Sequence, residues 1–285
     1  MITLKCIETR HSLGVGRWEG ALRVPESFHD IVPAVESFAM DRGLCLWWLG
    51  GSSYVVRSAT TTVYVDPYFS GDRAGHPRGF ERVIPNYMVP EDVTRADVII
   101  STHNHGDHCD QHTLGVLCSR TAARIVAAPS SARKMEAWPF TQGRVDEFPV
   151  CTSKTYGDIT IESWPSKDWD DAGAVTFVLS HGGHTIFAGG DTLLFDGLAQ
   201  IADEYQIDLA VLALAHNRRD IIDADVYLDP PAFAKATALL RPRKVMPIHW
   251  DIWKAWVEDP HVVEPHLKGV AAQLILPRPG ELVEI

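Results

Sequence analysis

The stretch ADVIISTHNHGDHCD, residues 96–110, passes from an apolar run straight into three histidines and two aspartates. The run reads as a buried strand, since four to eight apolar residues bounded by polar ones fit a strand covered on both faces. Beyond a strand's C-terminal end the chain is free to curl, so side chains at i, i+2, i+4 and i+5 can converge. His103, His105 and His108 then supply imidazoles and Asp107 a carboxylate, with the small Asn104 and Gly106 permitting a tight turn. Mixed nitrogen and oxygen donors suit zinc, manganese or iron better than calcium or magnesium, which favour all-oxygen shells. The competing reading is a polar surface loop that happens to be rich in histidine.

Two later strands end in a similar way. HTIFAGGDT, residues 184–192, delivers Asp191 after two glycines, either as a carboxylate able to bridge two ions or as an N-cap of a helix starting near Leu193. KVMPIHW, residues 244–250, delivers His249, which is either the completing ligand of a second ion or a half-buried structural histidine beside Trp250. Three strand ends each bringing a donor type the others lack favour the metal reading over three separate coincidences.

Around these points the chain alternates between strands and helices. LCLWWL (44–49), SYVVR (53–57) and TTVYVD (61–66) form a meander, and strands follow within 96–101, 124–128, 158–164, 174–179, 184–189, 208–214, 244–248 and 272–276. Helices are expected near 111–119, 130–137, 193–205, 230–241 and 250–258. Such an order implies two mixed sheets packed together under outer helices. Residues 1–43 form an accessory segment, whose PESFHDIVPAVESFAMDRG carries helical spacing interrupted by Pro33 and stopped by Gly43. Residues 44–285 form a single compact unit. The stretch 67–90, rich in Pro, Gly and Arg, is expected as a long functional loop, with Phe69, Phe80 and Tyr87 contributing to a lid.

Composition narrows the partners. Against 37 Asp and Glu stand 26 Lys and Arg, a formal charge of −11, which disfavours nucleic acid and anionic membrane surfaces. No apolar run approaches the ~20 residues of a spanning helix. The opening MITLKCIETRHSLG lacks the pattern of a signal peptide, and the five cysteines show no CxxC spacing. A cytoplasmic enzyme acting on a small molecule is the resulting expectation.

HxHxDH at 103–108, Gly190-Asp191 and the late His249 together resemble the metallo-β-lactamase superfamily. LWWLGGSSYVV, VYVDPYFS, ADVIISTHNHGDHCD and VMPIHW resemble motifs of its L-ascorbate-6-phosphate lactonase-like branch, and N-acylphosphatidylethanolamine-hydrolysing phospholipase D is similar in the same places. The resemblance spans roughly residues 44–255. It implies an α/β fold, a four-layer αββα sandwich, here with an extra N-terminal helical segment that is a candidate homo-oligomer interface. It also implies one or two divalent ions, zinc or manganese before iron. His103 and His105 would hold the first, Asp107, His108 and His249 the second, and Asp191 both. Asp66 and Asp110 would support the ligands from behind, unless Asp66 only shapes the turn before Pro67 and Asp110 only caps the following helix. The implied activity is metal-dependent hydrolysis of a small anionic lactone or phosphodiester by an ion-activated water, with Asp107 or Asp191 handling its proton.

The pattern is broken in three places. The family's third histidine for the first ion is missing from ITIESWPSKDWDDAGAVTF, where Asp168 is the nearest replacement, unless it merely solvates the loop. His181 and His184 flank a Gly-Gly hairpin turn on the far side. Gly51 stands where the branch carries histidine, which is expected to widen the pocket floor. LALAHNRRD replaces a glycine-rich loop, making His216 a candidate substrate contact and Arg218 and Arg219 candidate anion binders. Two histidines with one carboxylate also match non-haem iron oxygenases, so an oxygenase on the same fold is a second expectation. A non-catalytic metal-binding relative is a third.

Overall fold

The computed structural model describes residues 31–70 and 80–285. Most of the accessory segment, residues 1–30, therefore lies outside the described residues. Its remainder forms α1 (Ile31–Ser37), with Pro33 in the first turn, where no intrahelical N–H partner is required. Ile31, Val32 and Val35 are buried, and Arg57 donates to the carbonyls of Val35 and Phe38, so the described end of the segment is fastened to the main body.

The chain continues through β1 (Cys45–Trp48), β2 (Tyr54–Arg57), β3 (Thr62–Val65), β4 (Val98–Ser101), α2 (Gln111–Arg120), β5 (Arg124–Ala127), α3 (Pro129–Met135), β6 (Val145–Glu147) and β7 (Ser153–Tyr156). It then forms β8 (Ile159–Pro165), β9 (Val175–His181), β10 (His184–Ala188), α4 (Gly197–Glu204), β11 (Leu209–Ala213), α5 (Pro230–Leu240), β12 (Lys244–Ile248), β13 (Gln273–Leu274) and β14 (Leu282–Glu284). Two seven-stranded sheets result, ordered β14-β1-β2-β3-β4-β5-β6 and β13-β12-β11-β10-β9-β8-β7. Each is mixed: β3 through β6 pair in parallel in the first, and β10 through β13 in the second.

Strand alternation assigns side chains to layers. Leu46, Trp48, Val98, Ile100 and Val126 join the core shared with the second sheet, whereas Cys45, Trp47, Ile99, Ile125 and Ala127 face the cluster beneath α1, α2 and α3. On the second sheet, Leu198 and Ile201 of α4 and Phe233 and Leu240 of α5 pack into the same core. The product is the expected αββα sandwich. Both faces of the central strands are covered, which explains why β4 and β11 read as unbroken apolar runs.

Two helices differ from expectation. The segment expected to be helical from 193 begins only at Gly197, with Asp196 at its N-cap position, so Asp191 caps no helix. The segment 250–258 is a series of turns. There Val83 N donates to Ile252 O and Lys254 N to Glu81 O, so strand-like pairing with residues 81–83 uses the backbone groups a helix would need. The loop 67–90 also divides differently: Phe69 and Tyr87 are buried in the outer core, and Phe80 alone of the three borders the cleft described below. Three short strands, β6, β7 and β14, carry no apolar alternation that announces them.

Phe177 on β9 is fully buried, with its ring 6.1 Å from Phe148, which follows β6 of the other sheet. Phe177→Ala is expected to destabilise the protein by about 3–5 kcal/mol, read as a lower denaturation midpoint with an unchanged denaturant slope.

Candidate metal centre

The side chains singled out above sit just past the C-terminal ends of strands that pair in parallel: Asp66 after β3, the 103–108 loop after β4, Asp191 after β10 and His249 after β12. Crevices outside the carboxyl ends of parallel strands are the usual ligand sites of α/β sheets. Here two sheets contribute to one such edge. Asp66 and His249 turn away with φ of 45° and 70°, backbone settings uncommon for residues with a side chain and concentrated at functional sites.

The donor atoms converge. Asp191 Oδ2 lies 3.3 Å from His108 Nε2, 3.6 Å from His249 Nε2 and 3.9 Å from His103 Nε2. His249 Nε2 is 3.0 Å from Asp107 Oδ2 and 3.2 Å from His108 Nε2. His103 Nε2 is 2.8 Å from His105 Nδ1. Three sets able to hold a metal ion emerge: His103, His108 and Asp191; His103, His105 and Asp168; and Asp107, His108 and His249. Asp191 Oδ2 is the oxygen that meets the imidazole nitrogens, and Oδ1 of the same carboxylate is buried without a hydrogen-bond partner, an orphaned oxygen that fits a cation.

Asp66 sets the imidazole tautomers. Its carboxylate accepts from Thr102 N (2.9 Å) and Thr102 Oγ1 (2.7 Å), and meets His108 Nδ1 at 2.8 Å. His108 Nδ1 therefore donates to Asp66, and Nε2 is the nitrogen turned toward the cluster. Because the Thr102 hydroxyl donates to Asp66, it accepts from His103 Nδ1 at 3.0 Å, and His103 Nε2 is freed in the same sense. The loop is further pinned by Ser101 Oγ, which donates to the carbonyls of His103 and His108, and by Lys134 Nζ, which donates to those of Asn104 and Cys109.

Burial and mutual charge shape the titration of these groups. Burial works against charging His108, yet Asp191, Asp107 and Asp66 together raise it well above the ordinary imidazole value. His103, equally buried and beside His108, is depressed well below it. Burial acts to raise Asp107 and Asp191, and the facing His108 and His249 overcome it, holding both carboxylates down. Burial pushes Asp168 up to about 6.

The remaining expected residues divide. Asp168 joins the set with His103 and His105, and its Oδ1 also accepts from the backbone N–H groups of Asp170 and Asp171, so it shapes its own turn as well. Its neighbours bind the loop: Asp170 meets His105 Nε2 at 2.7 Å, and Asp171 accepts from Asn104 N and Ser130 Oγ. Asp110 accepts from Thr113 N and Thr113 Oγ1, fixing the start of α2 immediately after the histidine loop. His181 and His184 pair across the hairpin at the opposite ends of β9 and β10.

The structure places the remaining expected groups as follows. His216 is exposed, is engaged by Glu258 and does not line the cleft, because its chain segment turns outward after Ala215. Arg218 lines the cleft and is paired with Asp220 through Nε and Nη2, at 2.9 and 2.8 Å, and Arg219 pairs with Asp225 and does not line the cleft. Gly51 does not widen the floor, since Ile252 fills the space beside it and a Cβ would lie 2.8 Å from Ile252 Cδ1.

Two contributors were not foreseen. Trp253 Nε1 donates to Asp107 Oδ2 at 3.1 Å, joining His249 in fixing that carboxylate. Tyr227, buried, places its ring 4.7 Å from that of His249. Both come from segments whose positions depend on long-range packing and leave no local motif. A cleft of about 1150 Å³ opens over the donor cluster, with Asp107, Asp191 and Tyr227 on its wall.

A double-sheet sandwich with such a cluster at its edge defines a metallo-β-lactamase fold. The chain belongs to the beta-lactamase superfamily, whose domain it matches over residues 61–250. A UPF0173 metal-dependent hydrolase of Pyrococcus furiosus is 26% identical over 252 residues, covering 84% of this chain and 98% of that protein. Among solved structures, the metallo hydrolase Igni18 from Ignicoccus hospitalis aligns with a TM-score of 0.67 at 19% identity, over 85% of this chain and 98% of that one. CmlA, a diiron β-hydroxylase from Streptomyces venezuelae, aligns with a TM-score of 0.65 at 15% identity, over 86% of this chain and 55% of that one. At these identities the structural likenesses speak for the fold alone.

Gly51 has φ of 56°, and its carbonyl accepts from His249 N at 3.0 Å. Gly51→Ala is expected to lower stability by about 1–2 kcal/mol from the left-handed backbone alone, with more from the Ile252 clash. Thermal melts of Gly51→Ala and Gly51→Ala/Ile252→Val check this, the double variant recovering the steric part only.

Proposed function

We propose that this protein is a metal-dependent hydrolase that holds two divalent ions and acts on a small molecule. The observation that carries the reading is the convergence of His103, His108 and His249 on Asp191 Oδ2 within 3.9 Å, with Asp191 Oδ1 buried and unpartnered beside them. His103, His105 and Asp168 would hold one ion and Asp107, His108 and His249 the other, with Asp191 reaching both. The nitrogen and oxygen donor set suits zinc, manganese or iron. Such ions, when bound, polarise the scissile oxygen and lower the pKa of water toward ~7.

The chain's own residues supply the rest. Asp66 holds His108 directly, and His103 through Thr102, with their Nε2 atoms turned to the cluster. Asp107 and Asp191 orient the attacking water and receive its proton, which then passes to the departing oxygen as its bond to the acyl or phosphoryl centre breaks. The similarity to proteins named metal-dependent hydrolases supports this, and the motif resemblance to the lactonase-like branch supports lactones, esters or phosphodiesters as the reaction class. The unpaired thiols of Cys45, Cys109, Cys118 and Cys151 support a reducing, cytoplasmic setting. Among the described residues no helix is long and apolar enough to cross a membrane.

One observation favours a second reading: Asp168 with His103 and His105 offers the two-histidine, one-carboxylate set of iron oxygenases. Protein purified without added metal and containing stoichiometric iron, together with oxygen uptake, would favour that chemistry; zinc or manganese with hydrolysis favours ours.

Hydrolysis of lactone and phosphodiester panels with added manganese or zinc is expected to give turnover that a chelator abolishes. Asp191→Asn is expected to reduce kcat at least ~100-fold, the scale of losing a charge-stabilising group. Absence of turnover with every metal, or an unaffected Asp191→Asn variant, contradicts the proposal.

A further inference from the structure

The cleft above the donor cluster has a wall unlike that of an anion receptor. Phe80, Trp169, Ile221, Ile222, Val226 and Trp253 face it, and all belong to one apolar cluster that continues beneath the surface. Phe80 meets Trp253 edge-on with ring centroids 5.6 Å apart and packs on Trp256 at 4.4 Å, so the wall presents aromatic surface to the cleft.

The charges around this wall are already neutralised. Lys254 pairs with Glu81 at 2.6 Å. Arg218 is engaged by Asp220 and by Ala255 O. The other charged residues lining the cleft are carboxylates, Asp107, Asp170 and Asp191, of which Asp170 pairs with His105. Each lysine and arginine among the described lining residues is therefore already paired with a carboxylate, and an anionic group on the substrate's far end would compete with an existing surface ion pair. An apolar group would cover apolar surface that otherwise stays wet.

We infer that the cleft binds uncharged substrates whose hydrolysable bond carries an aromatic or branched apolar group, with Ile221 and Ile222 as the specificity-determining contacts; the catalytic part of this rests on the hydrolase reading above, while the binding part does not. The cleft volume of about 1150 Å³ exceeds the need of a short acyl group and accommodates a ring system. The scissile bond lies toward Asp107 and Asp191 and the apolar group lies against the isoleucines. Ile221 and Ile222 sit on the partly exposed 218–224 segment, so polar substitution there leaves the sandwich core untouched.

Two measurements test this. The first compares kcat/KM for an uncharged naphthyl-bearing ester or lactone with that for its carboxylate-bearing counterpart. A preference of at least tenfold for the uncharged compound is expected, and it should fall at least tenfold in Ile221→Asp. The second needs no metal: a neutral naphthalene fluorophore, 6-propionyl-2-dimethylaminonaphthalene, is titrated into chelator-treated protein. It is expected to bind with quenching of tryptophan emission, at least tenfold more weakly in both Ile221→Asp and Ile222→Asp, with circular dichroism unchanged. Preference for the anionic compound, or equal dye affinity in wild type and both variants, overturns the inference. Dye binding that both variants abolish, with no hydrolysis under any metal, sinks the hydrolase reading but upholds the cleft assignment.

Discussion

One carboxylate governs the geometry of the edge where the two sheets meet. Asp66 receives the backbone and hydroxyl of Thr102 and the Nδ1 of His108, and through Thr102 it also orients His103. It is buried among groups that all donate to it, so burial, which pushes its carboxyl up, is opposed by His108 and Thr102. Two imidazoles thus turn their Nε2 atoms in one direction without any cation being needed to orient them. A neutral residue at this position would leave both rings free to take the other tautomer, and the donor cluster would lose its common focus.

That arrangement depends on strand register. Val65 of β3 pairs with Ile100 of β4, which brings Asp66 beside Thr102 one step beyond the ladder. The second sheet supplies Asp191 and His249 in the same manner from β10 and β12, separated by β11. The interior between the sheets carries the stability, while the edge carries buried charge that no apolar packing offsets. Carboxylates and imidazoles at 3.0–3.9 Å form a balanced set in which each group's ionisation is shifted by its neighbours.

How far the sequence reveals this follows from the same physics. The cluster at 103–108 is legible because four donors lie within six residues at the end of an apolar run. Asp191 and His249 are legible because each ends an apolar strand of its own. The Asp66–Thr102–His103 relay is not, since it exists only once β3 and β4 align. Trp253 reads as part of a helix, yet the segment pairs with residues 81–83, and that long-range pairing turns its indole toward Asp107. The basic residues of 216–219 read as an anion site because their acidic partners, Asp220, Asp225 and Glu258, are assigned only by the folded loop.

The cation pocket itself is the claim most open to direct test. Anomalous X-ray scattering from crystals grown with manganese or zinc, recorded at the corresponding absorption edge, is predicted to show two peaks, one against His103, His105 and Asp168 and one against Asp107, His108 and His249, with Asp191 touching both. A map without an anomalous peak within bonding distance of these nitrogens and oxygens, from protein retaining its fold, would contradict it.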